Sequence, residues 1–314
     1  MSRTFLAVDF LNLAFRAVYG YPPLTAPDGT PIGGTMGVLA MTQSLAACCD
    51  ATHIAFAFES TTGTHRADAF GGYKAGRPDL DPGFRAQLHL ANVAVGKMGW
   101  ARYRTERYEA DDALVVLTRA AIADGFEHAY IATGDRDLMG GVADDVTLLW
   151  TAQGMGKLTD RAHTNWYTPA KVEERYGVRP DQIADRKALC GDTSDAIPGV
   201  PGIGEVKAAP LIRLFGSFEA LYGALAAVRD GVADAETAAL VASIAPGVMR
   251  RLVAGEASGR LSHMLGSLVA DAALTPAFDP EAGRLGHDDR ERTLTFLRAY
   301  GLASVERRLP RSTA

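Results

Sequence analysis

Long apolar runs are missing from this 314-residue chain. That argues against a membrane-spanning helix, which needs about 20 consecutive apolar residues. A secretory leader is not expected either. Asp9 and Asn12 interrupt the N-terminal MSRTFLAVDFLNLAFRA, and no small-residue cleavage site follows. Cysteine is scarce: Cys48 and Cys49 are adjacent, Cys190 is far off, and no CxxC or Cys/His spacing occurs. This argues against a zinc site and for free thiols in a reducing compartment, the cytoplasm. No internal repeat is found. A basic excess is absent too. The net charge of −5 counts against a simple nucleic-acid module that binds through a positive surface. What remains is an ordinary composition, 47% hydrophobic and 22% charged, with a length that suggests two domains.

The first half alternates strands and helices. Thr4–Val8 reads as a buried strand ending at Asp9, and Ile54–Phe58 as a second ending at Glu59. Ala129–Thr133 reads as another, running into Gly134-Asp135. Helices are predicted over Thr35–Cys49, from Pro82 to about Met98, and over Ala110–Asp124. Such alternation predicts a parallel sheet covered by helices, with ligands beyond the C-terminal strand ends. Asp9, Glu59 and Asp135 all fall there. From about Thr168 the strands fade, and short helices joined by Gly/Pro turns predict a small helical domain. Residues past about Asp230 are Ala-rich and helical. Gln153–Asn165 reads as a polar connection.

Acidic residues gather at element ends: Asp9, Glu59, Glu109, Asp111, Asp112, Asp135, Asp137, Asp192 and Asp195. Singly, each suits a turn or a helix N-cap. Together they deliver carboxylates from several strands to one sheet edge, where they repel unless cations compensate. Mg²⁺ or Mn²⁺ prefers oxygen donors of this kind, and a pair of such ions suits phosphoryl transfer. Setting these nine aside turns the net −5 of the chain into +4 for the rest. Glu109 and Asp112, at i and i+3, share a helix face while Asp111 points aside, so one of Asp111 and Asp112 is expected to act from behind the ligands.

Two further features point to phosphates. The segment THRADAFGGYKAGR carries His65, Arg66, Lys74 and Arg77 interleaved with Phe70 and Tyr73; cations hold phosphates and aromatic faces stack on bases. The bland alternative is a solvated basic loop. Pro198–Gly204 is a glycine hairpin opening a helix, whose free N–H groups bind phosphate without reading sequence. Lys207 falls in the first turn of that helix. Asp192 and Asp195 immediately precede this hairpin, which lifts it above an ordinary turn.

The strings VDFLNLAFRA, GGYKAGRP, YEADDAL, TGDRDL, YGVRPDQIADRKALCGDTSDAIPGVPGIG and GSFEAL, in this order over about residues 4–222, resemble the 5′-nuclease family. That family includes the 5′-nuclease domain of bacterial DNA polymerase I, phage 5′-exonucleases and flap endonucleases. The resemblance implies a resolvase-like (PIN-like) α/β core over 1–167, with an arch or gateway at about 61–105. It implies a helical DNA-binding domain over 168–314, with a helix–three-turn–helix motif at about 186–222. It implies that all nine carboxylates are metal ligands, with two or more divalent cations. It places Tyr73, Lys74 and Arg77 in the gateway with Lys74 and Arg77 on the scissile phosphate, and Gly199, Gly202, Gly204 and Lys207 on duplex DNA with K⁺ at the hairpin carbonyls; Arg66 and Tyr73 are likewise expected to contact DNA. Glu59 stands where the family usually has Asp, and GKLTDRAHTN is extra length. The expected protein is a monomeric, stand-alone nuclease acting on DNA 5′ ends, flaps or junctions. The competing readings are a branched-DNA-binding relative that does not cut, and a PIN-like ribonuclease.

Overall fold

The apolar run TFLAVD is buried at every position, as a strand covered on both faces requires. It is β1 (Thr4–Asp9), and the strands that follow in sequence are β2 (His53–Phe58), β3 (Ala101–Thr105), β4 (His128–Thr133), β5 (Val146–Trp150), β6 (Trp166–Tyr167) and β7 (Leu274–Thr275). The computed structural model describes residues 2–76, 79–153, 165–286 and 289–309. Arg77 and most of the Gln153–Asn165 connection, with its extra length, lie outside the described residues.

The sheet order is β6-β5-β4-β1-β2-β3-β7. The five central strands are parallel, as expected, but β6 and β7 pair antiparallel at the two edges, so the sheet is mixed. The edge strands are invisible in the sequence because two residues carry no periodicity.

Helices α1 (Phe10–Gly20), α2 (Gly33–Cys48), α3 (His65–Ala69), α4 (Pro82–Lys97) and α5 (Ala110–Ala123) belong to the first half. One face of the sheet packs Leu6, Val8, Ile54 and Phe56 against Leu13 of α1, Leu39 of α2 and Val95 of α4. The other packs Phe5, Ala7, Ile131 and Leu148 against Leu114 and Leu117 of α5. Local chemistry sets the helix starts. The Asp9 carboxylate caps α1, and Asp81 caps α4 with Pro82 just inside it.

The second half contains α6 (Pro169–Tyr176), α7 (Ile183–Cys190), α8 (Glu205–Phe215), α9 (Phe218–Arg229), α10 (Ala235–Ala242), α11 (Pro246–Ala254) and α12 (Glu256–Gly266). Its apolar side chains, among them Leu189, Val200, Ile212, Phe218 and Leu252, continue the core on the α5 face without a break. The chain then returns to the first half. β7 joins the sheet, and α13 (Arg290–Ala299) and α14 (Ala303–Glu306) pack on α4 and α2. Thr293 Oγ1 donates to the Lys97 carbonyl at 2.7 Å and Gln43 Nε2 to that of Val305 at 3.1 Å. Among the described residues no single helix is long and apolar enough to cross a membrane.

Candidate active site

The C-terminal ends of β1, β2 and β4 deliver Asp9, Glu59 and Asp135 to one edge. Asp9 is 6% exposed. It accepts the Asn12 N–H at 3.0 Å and the Thr133 hydroxyl at 2.8 Å. The same hydroxyl oxygen accepts the Asp135 N–H at 3.0 Å, and Asp135 in turn accepts the Asp137 N–H at 2.9 Å. Asn12 Oδ1 accepts the Gly134 N–H at 2.9 Å, which ties α1 to the TGD turn. Glu59 accepts the Ala110 N–H at 3.2 Å, at the open end of α5, where helix N–H groups favour a carboxylate.

The electrostatics show that these groups share one space. Burial, with Asp135 nearby, pushes Asp9 up to about 6. Burial and the charges of Glu109 and Asp9 push Glu59 up to about 7. Solvent reaches the Glu59 side chain and weakens this effect. Asp111 is raised well above the ordinary carboxylate range by burial and then by Asp135 and Asp9. Asp137 rises to about 6, again chiefly by burial. Burial joined by mutual repulsion, raising several carboxylates together, marks a cluster lacking positive charge.

Two lysines supply part of that charge. Lys74 Nζ lies 2.8 Å from Glu109 Oε1 and 3.9 Å from Asp195 Oδ2, and its backbone adopts a left-handed φ of 54°, uncommon for a side chain of this kind. Lys187, on α7, pairs with Asp137 and, at 3.0 Å, with Asp192. Burial opposes ionisation of Asp192, but Lys187 and the Ser194 hydrogen bonds outweigh it and hold that carboxyl down at about 2. The sequence gives no sign of this role for Lys187. It lies five residues before Asp192, and only the packing of α7 beside Asp137 brings it in. Among the described residues no trio of acidic, histidine or cysteine side chains is drawn tightly enough to enclose an ion. The all-oxygen donor set, short of positive charge, nonetheless suits a hard divalent cation.

Several sequence-predicted roles do not survive the geometry. Arg66, expected on DNA, is 2% exposed. Its guanidinium donates to both oxygens of Asp112 at 2.6 and 2.8 Å, to Glu109 at 3.0 Å, and to the carbonyls of Leu265 and Ser267 at 2.9 and 2.7 Å. Asp112 is therefore saturated behind the cluster, taking also the N–H of Glu109 and of Val269. It is Asp111 that joins the other acids, while Glu109 and Asp112 share the side of α5 that Arg66 binds, so Asp112 is the one that acts from behind. Tyr73 is buried as well. Its hydroxyl donates to Glu109 at 2.9 Å and its ring packs with Ile197 and Leu265, so it offers no face to a base. Gly199 is internal: its N–H donates to Ser262 Oγ at 2.8 Å and its carbonyl accepts from Ser258 Oγ at 2.6 Å. With φ at 67°, a Cβ there would lie 2.4 Å from the Gly191 nitrogen, so its glycine serves the hairpin itself. Gly202, Gly204 and Lys207 are exposed at the hairpin tip and the start of α8.

The raised carboxylates fix the sign of a pH effect. A folded-state pKa above the unfolded value gives stability that is full below the unfolded pKa and is lost as pH rises through the folded one. For Asp9 the window runs from its ordinary 3.8 to about 6. The metal-free protein should therefore lose melting temperature between roughly pH 4 and pH 7. Asp9→Asn, which keeps the cap acceptor, should flatten that decline; parallel curves for variant and wild type in calorimetry would refute it.

This edge and these two halves define a class, a resolvase-like α/β core joined to a SAM-like helical domain. The family model for the 5′-3′ exonuclease N-terminal resolvase-like domain matches residues 4–177, and that for the 5′-3′ exonuclease C-terminal SAM fold matches residues 178–290. The chain belongs to the 5′-3′ exonuclease family. It is 35% identical over 232 residues to DNA polymerase I of Mycobacterium leprae, covering 73% of this chain and 25% of that protein. It is 33% identical over 302 residues to the thermostable DNA polymerase I of Thermus aquaticus, covering 96% of this chain and 32% of that protein. The chain thus spans a quarter to a third of the length of these relatives. The T5 5′-exonuclease, solved with bound divalent metal ions (zinc), has a TM-score of 0.63 at 20% identity, covering 96% of this chain and 99% of that one. The catalytic core of Rad2 in complex with DNA has a TM-score of 0.56 at 14% identity, covering 99% and 93%. These likenesses carry the fold across nearly the whole chain.

Proposed function

We propose that this chain is a structure-specific 5′-nuclease that hydrolyses DNA phosphodiester bonds at 5′ ends, flaps or junctions with two divalent cations, Mg²⁺ or Mn²⁺, in replication or repair. The observation that carries this reading is the delivery of Asp9, Glu59, Asp135 and Asp137 by the ends of β1, β2 and β4 to one sheet edge, with Asp111 beside them at the start of α5. Asp9, Glu59, Glu109, Asp111 and Asp135 would hold one ion, and Asp137, Asp192 and Asp195 the other. When bound, such a pair activates water and stabilises attacking and leaving oxygens in phosphoryl transfer.

The chain's own residues do the rest. Lys74, now held by Glu109, turns to the scissile phosphate and steadies its growing charge, with Arg77 in the same role. Gly202, Gly204 and Lys207 grip the duplex backbone through N–H groups and an ammonium. K⁺ at the hairpin belongs to the same reading. The Gly202 carbonyl is already reached by Arg251 Nη1 at 3.3 Å and Lys207 Nζ at 3.5 Å, so an ion there requires these two to swing away. The division into residues 1–167 and 168–314, the monomeric state and a cytoplasmic location are part of the proposal; the three free cysteines favour the last.

The test is cleavage of a labelled 5′-flap duplex by the purified protein with Mn²⁺, beside the same flap in RNA. Cutting of the DNA flap alone is expected. Binding without cutting would favour the non-cutting relative, and preference for the RNA flap the ribonuclease. In the same assay Lys74→Ala should slow single-turnover cleavage by roughly a hundredfold while weakening binding far less. A pure affinity loss would contradict its role.

A further inference from the structure

Beside β3, on the face covered by α4, lies a cavity of about 380 Å³ lined by Ser60, Thr61, Asn92, Arg102, Arg104 and Glu106 among others. Arg102 and Arg104 are two apart on one strand, so both point to the same face. Arg102 Nη1 donates to Asn92 Oδ1 at 3.3 Å, and its guanidinium lies over Gly96, where a Cβ would come within 3.0 Å of Cζ. The side chain of Arg104, a partly buried residue, has neither a hydrogen bond nor an ion pair with any described residue. Against two guanidinium groups the lining sets one carboxylate, Glu106, so the cavity carries a net positive charge with hydroxyl and amide groups around it. Nothing in the proposed chemistry uses it.

Its place along the sheet edge gives it a meaning. α7, which leads into the hairpin, lies beside the turn after β4, where Lys187 pairs with Asp137 and Asp192. The carboxylates occupy the ends of β4, β1 and β2, and the arginine cavity stands at the ends of β2 and β3. Ser60 and Thr61 directly follow Glu59, so cavity and carboxylates share a border. From β1 to β3 is two strand spacings, about 10 Å, a short reach for an extended strand. A nucleic-acid strand whose scissile phosphate sits over the carboxylates, with its duplex on the hairpin, runs out toward this cavity on the other side.

We propose, resting on the nuclease reading, that Arg102 and Arg104 form a phosphate-binding subsite for the single-stranded 5′ extension of the substrate. The ligand chemistry is a backbone phosphodiester, taken by guanidinium groups that suit phosphate geometry.

The experiment compares two duplexes that differ only in a single-stranded 5′ oligo(dT) extension. Binding is followed by fluorescence anisotropy with EDTA present, and cleavage with Mn²⁺ is measured in parallel. Arg104→Ala should weaken binding of the extended duplex by about tenfold and leave the plain duplex unchanged. Arg102→Ala with Arg104→Ala should also flatten the salt dependence of the extended duplex, by about 0.7 for each phosphate no longer neutralised. Arg104→Lys should keep most of the affinity, which separates loss of charge from loss of fold. Equal binding of the extended duplex by wild type and variants, or equal losses on both duplexes, overturns the subsite. So does inorganic phosphate binding that Arg104→Ala abolishes while the extension preference stays intact, since the cavity then serves a free anion. Failure of the nuclease reading shows differently, as absence of cleavage in wild type and variants alike.

Discussion

Asp135→Asn is expected to reduce single-turnover flap cleavage by roughly a thousandfold or more and, in the metal-free protein, to leave the melting temperature unchanged or raised. The two halves of this result have one cause. Asp135 raises Asp9, Asp111 and Asp137 through its charge, so its carboxylate works against the folded state until cations arrive. Removing that charge relieves the repulsion and takes away a donor. A site built for function rather than stability behaves this way. The amide keeps an oxygen to accept the Asp137 N–H, now bonded at 2.9 Å, so the turn should hold. Calorimetry without metal and cleavage with Mn²⁺, on the same preparation, check both halves. Undiminished turnover would remove Asp135 from the chemistry, and a large fall in melting temperature would make it structural.

The second large effect is on folding. Arg66→Ala leaves Asp112, which is 0% exposed, without its cation and with two vacated acceptor positions. Breaking a buried pair from one side costs about 3–5 kcal/mol, which for a chain of this size corresponds to a drop of roughly 10 °C. Arg66→Ala combined with Asp112→Leu should recover much of the loss, because the uncompensated buried charge is gone. A wild-type melting curve for Arg66→Ala would disprove this anchoring and bring back the role of Arg66 as a DNA contact. The variant should also loosen the segment after α3, because Arg66 and Tyr73 meet on the same Glu109 oxygen, and limited proteolysis reads that directly.

Much of this is visible in the sequence, for identifiable reasons. Strand-terminal acids such as Asp9 and Asp135 announce themselves because a carboxylate straight after a buried apolar run has few places to go except the sheet edge. Hairpin glycines are visible through the Pro and Gly spacing. What stays hidden depends on partners distant in the chain. Which of Asp111 and Asp112 faces the cluster is decided by Arg66, 46 residues before Asp112, and helical periodicity alone leaves that choice open. Arg66 and Tyr73 look like surface groups in a polar, glycine-rich segment, yet the bend around Lys74 folds them inward against α12. β3 escapes notice because ARYRT alternates arginine with Tyr103 and reads as a polar stretch, although its one buried face is sufficient for a strand.

The backbone crosses between the two halves more than once. After α12 it comes back to add β7, lays Gly283 against Ile54, whose N–H donates to the Gly283 carbonyl at 2.9 Å, and ends on α2 and α4. Two parts joined by a single tether swing apart more readily than parts joined by an outgoing and a returning segment and by a shared core. The hairpin and the acid edge are thereby tied together by more than one stretch of chain, and on the nuclease reading proposed above a DNA substrate meets them as one continuous surface.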